Sequence, residues 1–121
     1  DKIFVTLPYM DNKQRKASYF EVLVKGQKPL LCHYQATTQN VNDNPLLGNT
    51  TGKVKIVIKE QLYYGQKGKV AMKLSKSKKE FLATFGKQAS KIEKYMKENK
   101  LSSRKKEEVV EVFEYYNELI L

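Results

Sequence analysis

The chain carries one cysteine, Cys32, and one histidine, His33, among its 121 residues. A lone cysteine closes no internal disulfide, and the two residues together supply no ligand cluster for a zinc, haem or iron-sulfur site. Apolar runs are short as well: none approaches the roughly 20 residues of a membrane-spanning helix. Residues Asp1 to Leu7 lack the basic region, apolar stretch and small-residue cleavage site of a signal peptide. Arginine is scarce, with Arg15 and Arg104 the only two. Gly-rich phosphate loops, nucleophile elbows and zinc-binding spacings are missing too. These absences lead to an expectation of a protein with neither cofactor nor catalytic activity.

What is present suffices for a fold. Hydrophobic residues make up 40% of the chain and aromatic residues 11%, enough apolar matter to build a core at this length. The sequence reads as a single domain over 1 to 121, β-rich from 1 to 74 and helical from 75 to 121. It starts without Met, inside a strand pattern, as expected of a mature form or of a segment from a longer protein.

The first half alternates like strands. Ile3 to Leu7 forms a short strand closed by Pro8, and Asp11 to Lys16 reads as a polar turn or loop. Tyr19 to Val24 and Leu30 to Tyr34 flank Lys25-Gly26-Gln27-Lys28 and predict a hairpin. Residues 37 to 53 are so rich in Asn, Thr and Gly that they read as a long exposed loop. A second hairpin is predicted from Val54 to Lys59 and Leu62 to Tyr64, through Gly65 to Gly68, into Lys69 to Leu74. The period then lengthens. Ser77 and Glu80 fit a capping box ahead of Phe81, Leu82 and Phe85, with Gly86 as the stop. Ala89, Ile92, Tyr95 and Met96 mark a second helix ending near Asn99-Lys100. A third, capped by Ser102 or Ser103, carries Val109, Val112, Phe113, Tyr116 and Leu119 on one stripe. The expected fold is α+β: an antiparallel sheet of about five strands over residues 2 to 74, covered on one face by about three C-terminal helices.

Charge is unevenly spread beneath a net +10. Residues 67 to 106 hold 14 lysines and arginines against three acids, for +11, whereas 1 to 66 carry +4 and 107 to 121 carry -5. The middle block has two readings. It is either the solvated side of a hairpin and two helices, partly neutralised by the acidic third helix, or an anion-binding surface. In the second reading Lys67, Lys69, Lys73, Lys76, Lys78, Lys79, Arg104, Lys105 and Lys106 would meet an anionic lipid or nucleic acid. Nucleic acid fits less well, because lysine dominates over arginine and the aromatics fall at core-periodic positions.

Cys32 and His33 are strand neighbours that point to opposite faces, which excludes a nucleophile-base pair and predicts a core cysteine beside a surface histidine. In Tyr63-Tyr64 and Tyr115-Tyr116 one ring is expected to face the core and the other the surface. Glu107, Glu108, Glu111, Glu114 and Glu118 fall at the spacing of a helix's wet face.

A further resemblance rests on Tyr19-Phe20-Glu21-Val22-Leu23-Val24-Lys25-Gly26, Leu30-Leu31 and Tyr63-Tyr64. It continues through Lys69 to Leu74, Ser77 to Leu82, Lys94 to Leu101 and Val112-Phe113-Glu114-Tyr115-Tyr116-Asn117. In their order and spacing these resemble the C-terminal part of a family of exported Bacteroidetes proteins of unknown function. The resemblance covers most of the chain, the 37 to 53 stretch excepted, and implies a signal peptide and a β-rich half ahead of it. It implies a cell-envelope or secreted location, and brings no catalytic residue or cofactor with it. The resulting expectation is a non-enzymatic module that has a structural role or binds an envelope protein or anionic membrane surface. Polyanion binding and carriage of a small ligand or lipid in a tyrosine-lined cleft are the alternatives.

Overall fold

The computed structural model describes residues 2 to 11, 13 to 40, 54 to 66 and 70 to 121. It is an α+β fold with strands β1 (Phe4–Asp11), β2 (Gln14–Val24), β3 (Leu30–Asn40), β4 (Val54–Tyr64) and β5 (Met72–Lys73). Helices α1 (Lys78–Ala83), α2 (Ala89–Asn99) and α3 (Lys106–Leu119) follow, with a short 3-10 turn at Gly86–Gln88 between the first two. The strands form one antiparallel meander in the order β1-β2-β3-β4-β5. The sheet curls until Ala71 meets Tyr9 in a parallel bridge, the Ala71 amide donating to the Pro8 carbonyl at 2.8 Å. The result is a nearly closed barrel with helices packed on its outer side.

Curling gives the sheet two apolar faces. Inside lie Tyr9, Phe20, Leu31, Tyr63 and Ala71, with Val5, Leu7, Val22 and Val70 around them. Outside, Val24, Leu30 and Leu74 pack against Phe81, Phe85, Ile92, Met96, Val109, Val112, Phe113 and Tyr116 of the helices. Alternation along β3 sends Leu31 inward and Leu30 and Cys32 outward, and all three are fully buried. A register shift between Val22 and Val24 moves Val24 out of phase, so that Val22 serves the interior and Val24 the helical side. Phe85 anchors the outer layer, with ring contacts to Phe81 at 5.2 Å, Phe113 at 5.3 Å and Tyr116 at 4.9 Å. Burying one such ring contributes about 2 kcal/mol.

The strands are longer than alternation predicts. β1 runs through Pro8, which an edge strand tolerates because a proline lacks only its donor and still accepts from Ala71. The polar stretch Gln14 to Lys16 belongs to β2, and a tight turn at Lys13, with φ of 66°, replaces the expected loop. Residues 37 to 40 extend β3, pairing up to Asn40↔Val54, while 41 to 53 lie outside the described residues. β4 is continuous, and β5 is only two residues long, because Ala71 leaves β4 to bridge to β1.

The helices begin and end close to prediction but cap differently. Ser77 precedes α1 without a side-chain cap bond, so the capping box does not form. Lys105, and neither serine, is the cap residue of α3. Ser102 and Ser103 build the preceding turn instead, in which Ser102 Oγ accepts from the Arg104 amide at 3.1 Å and Ser103 Oγ donates to the Lys76 carbonyl at 2.8 Å.

Asn117 joins the turn between β2 and β3 to α3. Its Oδ1 accepts from the Lys28 amide at 2.9 Å, and its Nδ2 donates to the carbonyls of Lys28 and Phe113 at 3.0 and 2.8 Å. Lys28, its ammonium drawn below the ordinary range by burial, donates to the Thr84 carbonyl and lies over the rings of Tyr64 and Tyr116. Gly26 has φ of 146°, and a Cβ there would lie 2.3 Å from Asn117 Oδ1. Gly26→Ala is expected to lower unfolding stability by more than about 1 kcal/mol, read as a reduced urea midpoint. A midpoint equal to that of the parent protein would show that this junction does not hold α3 to the sheet.

Candidate functional site

Five cationic side chains converge where α2 ends and α3 begins. Lys76 arrives from the segment leading into α1 and Lys78 from the first residue of that helix, Lys97 from the last turn of α2 and Lys100 from its C-cap, and Arg104 from the turn before α3. With Ser102 and Ser103 they line an open groove of about 400 Å³. The backbone makes the groove possible. Lys100 adopts φ of 54°, and its amide and that of Leu101 close the end of α2 on the Lys97 and Met96 carbonyls at 3.4 and 2.8 Å. The chain thereby reverses within a few residues, which brings Arg104 opposite Lys76.

The groove keeps most of its charge. Lys78 meets Glu93 at 3.7 Å across an exposed surface, where an ion pair is weak. Among the described residues, Lys76, Lys97, Lys100 and Arg104 have no carboxylate within ion-pair distance.

Of the residues that the sequence suggests for an anion surface, Lys76, Lys78 and Arg104 are thus brought together. Lys105 pairs with Glu108 at 3.7 Å, and Lys106 turns to Glu60 at 3.3 Å. Lys79 is exposed on α1 but does not line the groove. Lys73 alternates with Leu74, which enters the outer core, so its side chain leaves by the opposite face. Lys67 and Lys69 lie outside the described residues. Lys97 and Lys100 are additions from the structure; an i, i+3 spacing on an amphipathic helix is their only trace in the sequence.

A polar chain borders the groove. Tyr34 donates to the carboxylate of Glu21, which is 7% exposed. Lys106 Nζ donates to Tyr34 Oη at 3.4 Å and to Glu60 Oε1 at 3.3 Å, with its ammonium 5.5 Å from the centre of the Tyr34 ring. Nothing in the local sequence marks this chain. Its members come from β2, β3, β4 and α3, and only the register Glu21↔Cys32 and Tyr34↔Glu60 sets them side by side. Burial pushes the Cys32 thiol up. The bond to Glu21, with burial added, pushes the Tyr34 phenol well above its ordinary value. Both groups stay protonated near neutrality, and the chain ties the sheet to α3 as a strut.

His33 is not a surface residue. Its ring is half-buried and lies 5.4 Å from Tyr9, 5.4 Å from Phe20 and 6.0 Å from Tyr63, while Nε2 is hydrogen-bonded to Ser18 Oγ at 3.1 Å. Cys32, as expected, lies on the opposite face and is buried. The tyrosine pairs do not divide between core and surface. Tyr63 enters the barrel, Tyr64 packs on the outer core, Tyr116 contacts Phe85, and Tyr115 stacks on Tyr95 at 4.0 Å. Among the described residues no three His, Cys, Asp or Glu side chains gather as metal ligands, and no helix is long and apolar enough to cross a membrane. Compared with family models, curated proteins and solved structures, the chain matches none of them.

Two outcomes follow from the strut. A raised folded-state pKa for Tyr34 means that stability is fully present below the unfolded tyrosine pKa of about 10 and falls as pH rises beyond it. Tyr34→Phe is expected to flatten that alkaline decline in denaturant midpoints, and an unchanged slope would contradict the bond to Glu21. Cys32 is expected to react with a thiol reagent at neutral pH only at the rate of unfolding. Rapid labelling of the native protein would contradict its burial.

Proposed function

We propose that the chain is a non-catalytic binding module whose partner is polyanionic and occupies the groove between α2 and α3. The observation carrying this is the convergence of Lys76, Lys78, Lys97, Lys100 and Arg104 from three separate segments, with Glu93 the only carboxylate paired to them among the described residues. Like charges repel, so a fold that gathers them and leaves four unpaired gives up some stability in return for a concentrated positive potential. A non-catalytic role agrees with Cys32 and Tyr34 being held protonated by burial and by the bond to Glu21. The resemblance to exported proteins supports a partner in the cell envelope.

Base reading is disfavoured at this site. Arg104 is its only guanidinium, and no aromatic ring lines the groove for stacking. A carrier role has less support, because Leu30, Phe81, Phe85 and Phe113 fill the space between sheet and helices.

Titration with long-chain polyphosphate tests the proposal. Affinity is expected to fall steeply with added salt, as it does when several phosphates are neutralised. Lys76→Glu, Lys97→Glu and Lys100→Glu combined should lower it roughly a hundredfold at low salt, each reversal contributing about 1 kcal/mol, whereas Lys79→Glu, off the groove, should lower it far less. No binding at low salt, or equal losses from the two variants, would reject the groove as the site.

A further inference from the structure

Helical cover on the sheet stops at the rung Tyr34↔Glu60, where Lys106 lies across it. The hairpin of β3 and β4 runs on beyond that rung to Asn40↔Val54, and its next outward rungs are Ala36↔Ile58 and Thr38↔Ile56. Ile56 and Ile58 are 67% and 63% exposed. Two adjacent branched side chains this exposed, on a strand projecting past its core, are costly in water unless something covers them. Lys55 and Lys59 alternate with them on the same strand and leave by its other face. Tyr19, 71% exposed, stands on the outward face of β2, two residues from Glu21.

This apolar patch adjoins the basic groove. Glu60, one rung below Ile58, lines a cleft with Lys76, Ser103, Arg104 and Lys106, and the first three of these also line the groove. The two features therefore form one surface, cationic at one end and aliphatic at the other.

We infer that this surface seats on an anionic lipid bilayer, which deepens the polyanion reading and rests on it. Ammonium groups of the groove would meet headgroup phosphates, while Ile56 and Ile58 enter the boundary with the acyl chains and Tyr19 lies at headgroup level. A nucleic acid backbone satisfies the lysines but leaves the isoleucines in water. A second copy of the chain covers the isoleucines but brings a net +10 against another +10. A bilayer matches both halves of the surface.

Flotation with phosphatidylcholine vesicles, with and without about a quarter phosphatidylglycerol, decides the point when paired with the polyphosphate titration. The protein is expected to bind the anionic vesicles and not the neutral ones. Ile56→Ser with Ile58→Ser should weaken vesicle binding by at least about tenfold and leave polyphosphate affinity unchanged, which also shows the variant to be folded. Lys97→Glu with Lys100→Glu should weaken both. If the isoleucine variant floats like the parent, the bilayer inference fails and the groove reading stands; if neither anion binds, both fail. A dimer in sedimentation that the isoleucine variant disperses would assign the patch to self-association and overturn the inference.

Discussion

Each central strand of this chain lies between two apolar interiors, and that constraint organises the rest of the molecule. Leu30, Leu31 and Cys32 are buried in succession because one face of β3 looks into the curled sheet and the other looks at α3. A flat sheet would leave Tyr9, Phe20 and Tyr63 facing water. Curling until Ala71 meets Tyr9 encloses them, and their rings settle edge to face at 5.2 to 5.8 Å. The outer face then needs its own cover, which Phe81, Phe85 and Phe113 supply.

The surface chemistry follows from how that cover ends. α3 must start where the outer core starts, so its first turn sits over Tyr34 and Glu60, and Lys106 is drawn to them. The reversal between α2 and α3 then falls beside the segment leading into α1, and Ser103 joins the two through the Lys76 carbonyl. Lysines distant in sequence are gathered along one groove as a result. The uncovered end of the β3-β4 hairpin has the same origin, since the strands outrun the three-helix layer that packs on them.

Strands and helices were legible in the sequence where burial imposed a period. The stripe of α3 is unambiguous because Val109, Val112, Phe113 and Tyr116 all enter one core. Strand ends were not legible. Gln14 to Lys16 and residues 37 to 40 pair outside the cores, where burial demands no alternation. Serine capping misled for a related reason: Ser103 fits a helix start by type, yet its hydroxyl is committed to a carbonyl 27 residues away. His33 reads as a surface residue only if its strand has one buried face, and here both faces are covered.

By itself the sequence determined the α+β class, the order of strands before helices, the phase of Cys32 against His33 and the concentration of charge between 67 and 106. These follow from local periodicity and from counting, which need no partner. Only the tertiary structure decided which lysines act together, that Lys105 and Lys106 are taken by carboxylates, and that Glu21, Tyr34 and Lys106 form one chain. Such groupings depend on strand register and on where a helix lands, and both are set by packing between residues far apart in sequence.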